Sequence, residues 1–153
     1  RGLALRATEA AKNTQDLMTS ALEQHIFYEA YRRGILTSRL PMLRRFYQEK
    51  RPVMQTELRA QLGDLITWPE PKGGFFLWAT LPARCSTDEM LPRAVEQRVI
   101  YVTGSAFFVD RSGGNILRLS FSLPSKEKIV EGVRRLTQVV REELADHRAP
   151  VEI

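Results

Sequence analysis

The stretch Asn115-Ile-Leu-Arg-Leu-Ser-Phe-Ser122 alternates apolar and polar side chains and carries one arginine at its centre. A period of two places Leu117, Leu119 and Phe121 on one face of a strand, and Ile116, Arg118, Ser120 and Ser122 on the other. A guanidinium held mid-strand among small residues is costly to bury without an anionic partner. It is also planar and offers two parallel donors to a carboxylate. Arg118 therefore reads either as a receptor for a carboxylate-bearing ligand or as half of a structural ion pair. Spacing alone leaves both open.

The flanking sequence supplies helices and further strands. Residues 6–33 carry an amphipathic helical pattern closed by Arg32-Arg33-Gly34, a basic last turn followed by glycine. Ser38 is expected to cap a second helix running to about Leu62, with Pro41 early in it and Pro52 bending or breaking it. Gly63-Asp64 closes that helix. Short strands are predicted at Leu65–Trp68 and Gly74–Thr80, separated by the turn-rich Pro69–Gly73. Ser86-Thr-Asp-Glu89 has the form of a capping box opening a helix to about Gln97. Val99–Val102 reads as a strand and Asp110–Gly114 as a turn. Ser125 caps a final helix whose apolar stripe is Ile129, Val133, Leu136, Val140 and Leu144. Helices followed by mostly antiparallel strands with two covering helices make an α+β domain.

Composition narrows the function classes. A chain of 153 residues with 43% hydrophobic and 27% charged residues can bury one sizeable core plus a flanking element. No run of ~18 apolar residues is present, so no membrane span is expected. The opening Arg1-Gly-Leu-Ala-Leu has neither an initiator Met nor a charged-then-apolar leader, which reads as the start of a fragment. Cys85 stands alone, fitting a reducing, cytoplasmic setting, and it lacks a partner base. The net charge of +5 is spread over Arg32-Arg33, Arg44-Arg45, Lys50-Arg51 and Arg134-Arg135, interleaved with Glu49, Glu57 and Glu131. That pattern describes solvated helix faces rather than a nucleic-acid footprint. His25 and His147 lie far apart without neighbouring ligands, so no metal site is expected. Trp78, Phe75, Phe76 and Phe121 read as core packing, and Tyr28, Tyr31 and Tyr47 as interfacial.

Four ordered blocks carry a family likeness: Pro71–Pro82 with its Lys72-Gly73-Gly74-Phe75-Phe76, Val99–Phe108, the Arg118 strand, and Pro124–Leu136. Their order and intervals resemble the C-terminal part of the class I (fold type I) pyridoxal-phosphate aminotransferases. The likeness is greatest to the branch that includes 2-aminoadipate aminotransferases and similar multi-substrate enzymes.

The resemblance implies a small C-terminal domain over residues 37–148, mainly an antiparallel sheet covered by helices and preceded by long helices. Residues 1–36 would then be a remnant of the large domain or an interdomain helix, and 149–153 a frayed tail. It implies a homodimeric parent that uses pyridoxal 5'-phosphate to move an amino group between an amino acid and a 2-oxo acid. In similar enzymes the cofactor's Schiff-base lysine lies in a Ser-rich motif of the large domain, just before the point where this chain begins. None of Lys12, Lys50, Lys72, Lys126 and Lys128 stands in such a context. The chain is thus expected to contain no catalytic residue and to be inactive alone.

Arg118 matches the arginine that grips the substrate carboxylate in this family. Arg1 stands near the arginine that pairs with the cofactor phosphate, but Gly2-Leu3-Ala4 follows where an apolar residue and then glycine are more usual. An ordinary surface arginine is the equal reading there. Gly73-Gly74 resembles the glycine pair before the domain's first strand, which a turn with positive φ also explains. Thr103-Gly104 stands where Pro-Gly is more usual, so a less rigid loop is expected before Phe107-Phe108. Two other functions fit the same pattern: the effector-sensing aminotransferase-like tail of a transcription regulator, and a free-standing α+β protein-binding module.

Overall fold

The alternation around Arg118 becomes the central strand of a three-stranded antiparallel sheet in the computed structural model, which describes residues 2–15, 18 and 20–146. The chain divides into two compact units, Arg1–Arg44 and Arg45–Ile153.

In the first unit, the continuous helix predicted over 6–33 is two helices, α1 (Gly2–Gln15) and α2 (Ala21–Arg32). Ser20 starts α2: its side chain accepts a hydrogen bond from the Glu23 N–H, satisfying an otherwise orphaned donor. Glu29 pairs with both Arg32 and Arg33 at the end of α2, and Gly34 follows with φ +73°. Helix α3 (Ile35–Leu62) begins at once. Ser38 therefore lies inside its first turn, donating to the Ile35 carbonyl at 2.9 Å instead of capping. No described residue of α1 or α2 is buried, and Leu22, Ile26, Phe27, Tyr28 and Tyr31 are exposed.

Helix α3 runs unbroken through both Pro41 and Pro52. In the second unit its later turns bury Met54, Leu58 and Leu62, and this packing outweighs the one hydrogen bond that Pro52 removes. A short 3-10 turn at Gly63–Leu65 follows. The strand expected at Leu65–Trp68 is reduced to a single antiparallel bridge, Thr67 to Thr80.

The sheet is ordered β1 (Phe76–Thr80), β3 (Ile116–Ser120), β2 (Val102–Thr103). Its inner face presents Leu77, Ala79, Leu117 and Leu119 to a core completed by Phe121, α3, α4 (Thr87–Glu96) and α5 (Lys126–Asp146). All five residues of the α5 stripe are buried as expected. Burial of each such side chain stabilises the fold by roughly 1.5–3 kcal/mol. Ser86 caps α4, accepting from the Glu89 N–H at 3.3 Å. Glu143 of α5 is buried too; its carboxylate accepts from the Ser86 N–H and pairs with Arg93, which also reaches Asp146. This polar link ties α5 to α4.

Among the described residues, no helix is long and apolar enough to cross a membrane, and no cluster of His, Cys, Asp and Glu could hold a metal ion.

Candidate functional site

Because one face of the sheet is covered by helices, side chains of opposite parity are collected on the other. In register, Arg118 on β3 stands between Trp78 on β1 and Val102 on β2. Phe76 starts β1 one same-face step away, opposite Ser120. A 3-10 turn after β2, Gly104–Phe107, brings Phe107 to the same place.

The result is an aromatic frame around one cation. The Arg118 guanidinium carbon lies 4.2 Å from the Phe76 ring centroid and 4.8 Å from that of Phe107. Trp78 packs edge-on against Phe107 with centroids 5.0 Å apart, and Phe108 lies beyond at 6.5 Å. The Arg118 Nε is buried and without a hydrogen-bond partner, and no described carboxylate forms an ion pair with the guanidinium. Phe76 and Phe107 remain 41% and 46% exposed, so the frame is open to solvent.

Local chemistry fixes the loop that carries Phe107. A Cβ at Gly104 would collide with the Gly113 carbonyl and lie 2.6 Å from the Ile116 side chain, so close backbone approach requires glycine there. Gly113 has φ +78°, and a Cβ there would come within 2.8 Å of the Phe108 ring. The Thr103 and Ser105 hydroxyls are 3.1 Å apart, and Ser105 donates to Asp88 of α4 at 2.8 Å. The Thr103-Gly104 turn is thus tied to its surroundings without a proline.

Three of the four aromatics read as core are not in it. Phe121 is core, but Phe75 and Phe76 are exposed and Trp78 is half-buried beside Arg118. Phe107 was likewise missed as a site residue. Phe76 and Trp78 alternate with buried Leu77 and Ala79, and the pairing of Trp78 with Arg118 puts them on the open face.

The described residues do not form a cradle for pyridoxal phosphate. That cofactor needs an available amine and a cluster of phosphate donors. Lys50, the buried lysine, already donates to the Ser122 carbonyl at 2.9 Å and lies over the Phe46 ring. Lys126 pairs with Glu49, and Lys12, Lys72 and Lys128 are exposed. Arg1 lies outside the described residues. Gly74 has φ +84°, as a turn before β1 requires. Cys85 is buried, and burial pushes its thiol pKa up, with Glu143 adding to the rise.

No protein-family model matches the chain. An uncharacterized aminotransferase of Saccharolobus solfataricus is 41% identical over 92% of this chain and 35% of the relative. Among solved structures, a multiple-substrate aminotransferase from Thermococcus profundus superposes with a TM-score of 0.81 at 38% identity, covering 92% of this chain and 35% of that one. The α-aminoadipate aminotransferase of Thermus thermophilus, complexed with N-(5'-phosphopyridoxyl)-L-leucine, gives 0.77 at 36% identity, covering 95% and 37%. Two HTH-type transcriptional regulators of Bacillus subtilis match at only 26% identity. The chain spans about a third of the length of the relatives it matches. By sequence and by fold, the chain belongs to the fold type I aminotransferases and corresponds to their C-terminal part.

Proposed function

We propose that this chain is the substrate-carboxylate-binding portion of a pyridoxal-phosphate-dependent aminotransferase, with Arg118 as the carboxylate receptor. The observation that carries the reading is Arg118 itself. It is a strand-borne guanidinium on the open face of the sheet, with no carboxylate partner among the described residues. A cation left in that state in a folded domain is poised for an anion from outside. The parent protein moves an amino group between an amino acid and a 2-oxo acid, works as a homodimer, and resides in the cytoplasm. Pyridoxal 5'-phosphate, held mainly by residues outside this chain, supplies the electron sink for that chemistry. This chain contributes binding and orientation. Arg118 fixes the substrate carboxylate through paired charge-assisted hydrogen bonds.

The test is Arg118→Ala in the full-length protein. Loss of a hydrogen bond to a charged group costs roughly 1.5–3 kcal/mol, or about 10- to 150-fold in kcat/KM. Arg118→Lys should recover only part of this, since an ammonium cannot form the bidentate pair. Melting temperature should change little. Unchanged kcat/KM, or a loss accounted for by unfolding, would sink the assignment.

A further inference from the structure

A receptor arginine faces a conflict. Its long side chain must be held in one geometry, yet the usual means of holding it, an Asp or Glu partner, consumes the donors a ligand needs and offsets the charge that attracts it. Arg118 resolves this with rings. Phe76 approaches from the β1 side and Phe107 from the β2 side, each presenting its face to the guanidinium. A ring face attracts the cation without taking an N–H. Nε is buried without a partner, whereas neither Nη atom is shut away and unpartnered. The donors left for a ligand are therefore the pair at the tip of the side chain.

Resting on the carboxylate-site reading above, we infer that Phe76 and Phe107 are positioning residues: they clamp the Arg118 guanidinium so that its two Nη atoms meet the substrate carboxylate end-on. Trp78 supports the clamp by packing edge-on against Phe107. Gly104 and Gly113 hold the backbone that presents Phe107 and Phe108. The partial exposure of both phenylalanines matters here. Residues needed only for the core would be covered, and replacing these two empties no core cavity.

The experiment is a double-mutant cycle in the full-length protein, with 2-oxoglutarate as acceptor and, as donor, the standard amino acid that turns over fastest. Phe107→Leu should raise KM for both substrates about 3- to 30-fold, the range of an exposed to a desolvated cation–π contact. The kcat should stay within about 3-fold, because a carboxylate held equally in ground and transition states contributes to binding alone. Phe107→Trp, which keeps a ring face, should restore most of the loss, and Phe76→Leu should repeat it. In an Arg118→Ala background the effect of Phe107→Leu should vanish, since a residue acting through Arg118 has nothing left to position. The inference is overturned, with the carboxylate reading intact, if Arg118→Ala impairs turnover while Phe107→Leu is silent or equally costly in both backgrounds. If Arg118→Ala itself leaves the kinetics unchanged, the carboxylate reading fails and the inference with it.

Discussion

The polar link between α4 and α5 makes an asymmetric prediction about stability. Glu143 and Arg93 form one ion pair, but only 2% of the Glu143 side chain is exposed against 32% for Arg93. Deleting the acid and deleting the base should therefore have different costs. In Glu143→Leu, Arg93 keeps Asp146, 2.7 Å away, and keeps access to water. The losses include the bond to Arg93 and the acceptor for the Ser86 N–H, partly offset by apolar packing of the new side chain. That amounts to about 1–3 kcal/mol. In Arg93→Met the carboxylate stays in the interior without the guanidinium, and breaking a buried pair from this side costs about 3–5 kcal/mol. Replacing both should cost less than Arg93→Met alone, because apolar side chains of similar volume substitute well for a desolvated pair.

Urea unfolding followed by tryptophan fluorescence provides the measurement, since Trp68 and Trp78 both lie in the second unit. A shift in midpoint at constant slope reports a change in stability. For a chain of 153 residues, a cost of 3 kcal/mol corresponds to a fall of roughly 6–12 °C in melting temperature. The argument is refuted if Glu143→Leu is the more damaging single change. It is also refuted if the double variant loses the sum of the two single losses.

What could be read from the sequence follows from how much each feature depends on distant residues. The α5 stripe and the β3 alternation are set by spacing alone, so Ile129 through Leu144 and the two faces around Arg118 were legible. The interruption between α1 and α2 was not, because Ser20 lies within an apolar pattern that suits one continuous helix equally well. Pro52 suggested a bend or a break in α3, and the helix is not broken there, since Met54, Leu58 and Leu62 draw the following turns into the core. The aromatic frame was hidden for a related reason. Phe76-Leu77-Trp78-Ala79 is apolar at every position, so polarity cannot say which parity faces inward. Only the pairing of Trp78 with Arg118 assigns it. Arg118 itself could be picked out, but whether an acid in the fold partners it depends on tertiary contacts that no local pattern encodes.

Two further outcomes are expected. Cys85 is buried and its thiol is pushed up by desolvation, so it should react slowly with a chromogenic disulfide reagent in buffer and rapidly in urea; fast labelling of the native protein contradicts this. Tyr101 should make stability fall at alkaline pH. Its phenol is buried and donates to the Thr87 carbonyl at 2.7 Å. Burial, reinforced by Asp88 and Glu143, pushes its pKa up from the ordinary value of 10. Because the raised pKa belongs to the folded state, the unfolded chain releases this proton first. The phenol's contribution is therefore fully present below about pH 10 and is progressively lost as pH rises toward its folded pKa. Tyr101→Phe should lower stability at neutral pH by about 1 kcal/mol, the worth of one hydrogen bond. It should also make the unfolding free energy flatter above pH 10, where the wild type loses ground. An alkaline limb equally steep in Tyr101→Phe would show that other groups set it.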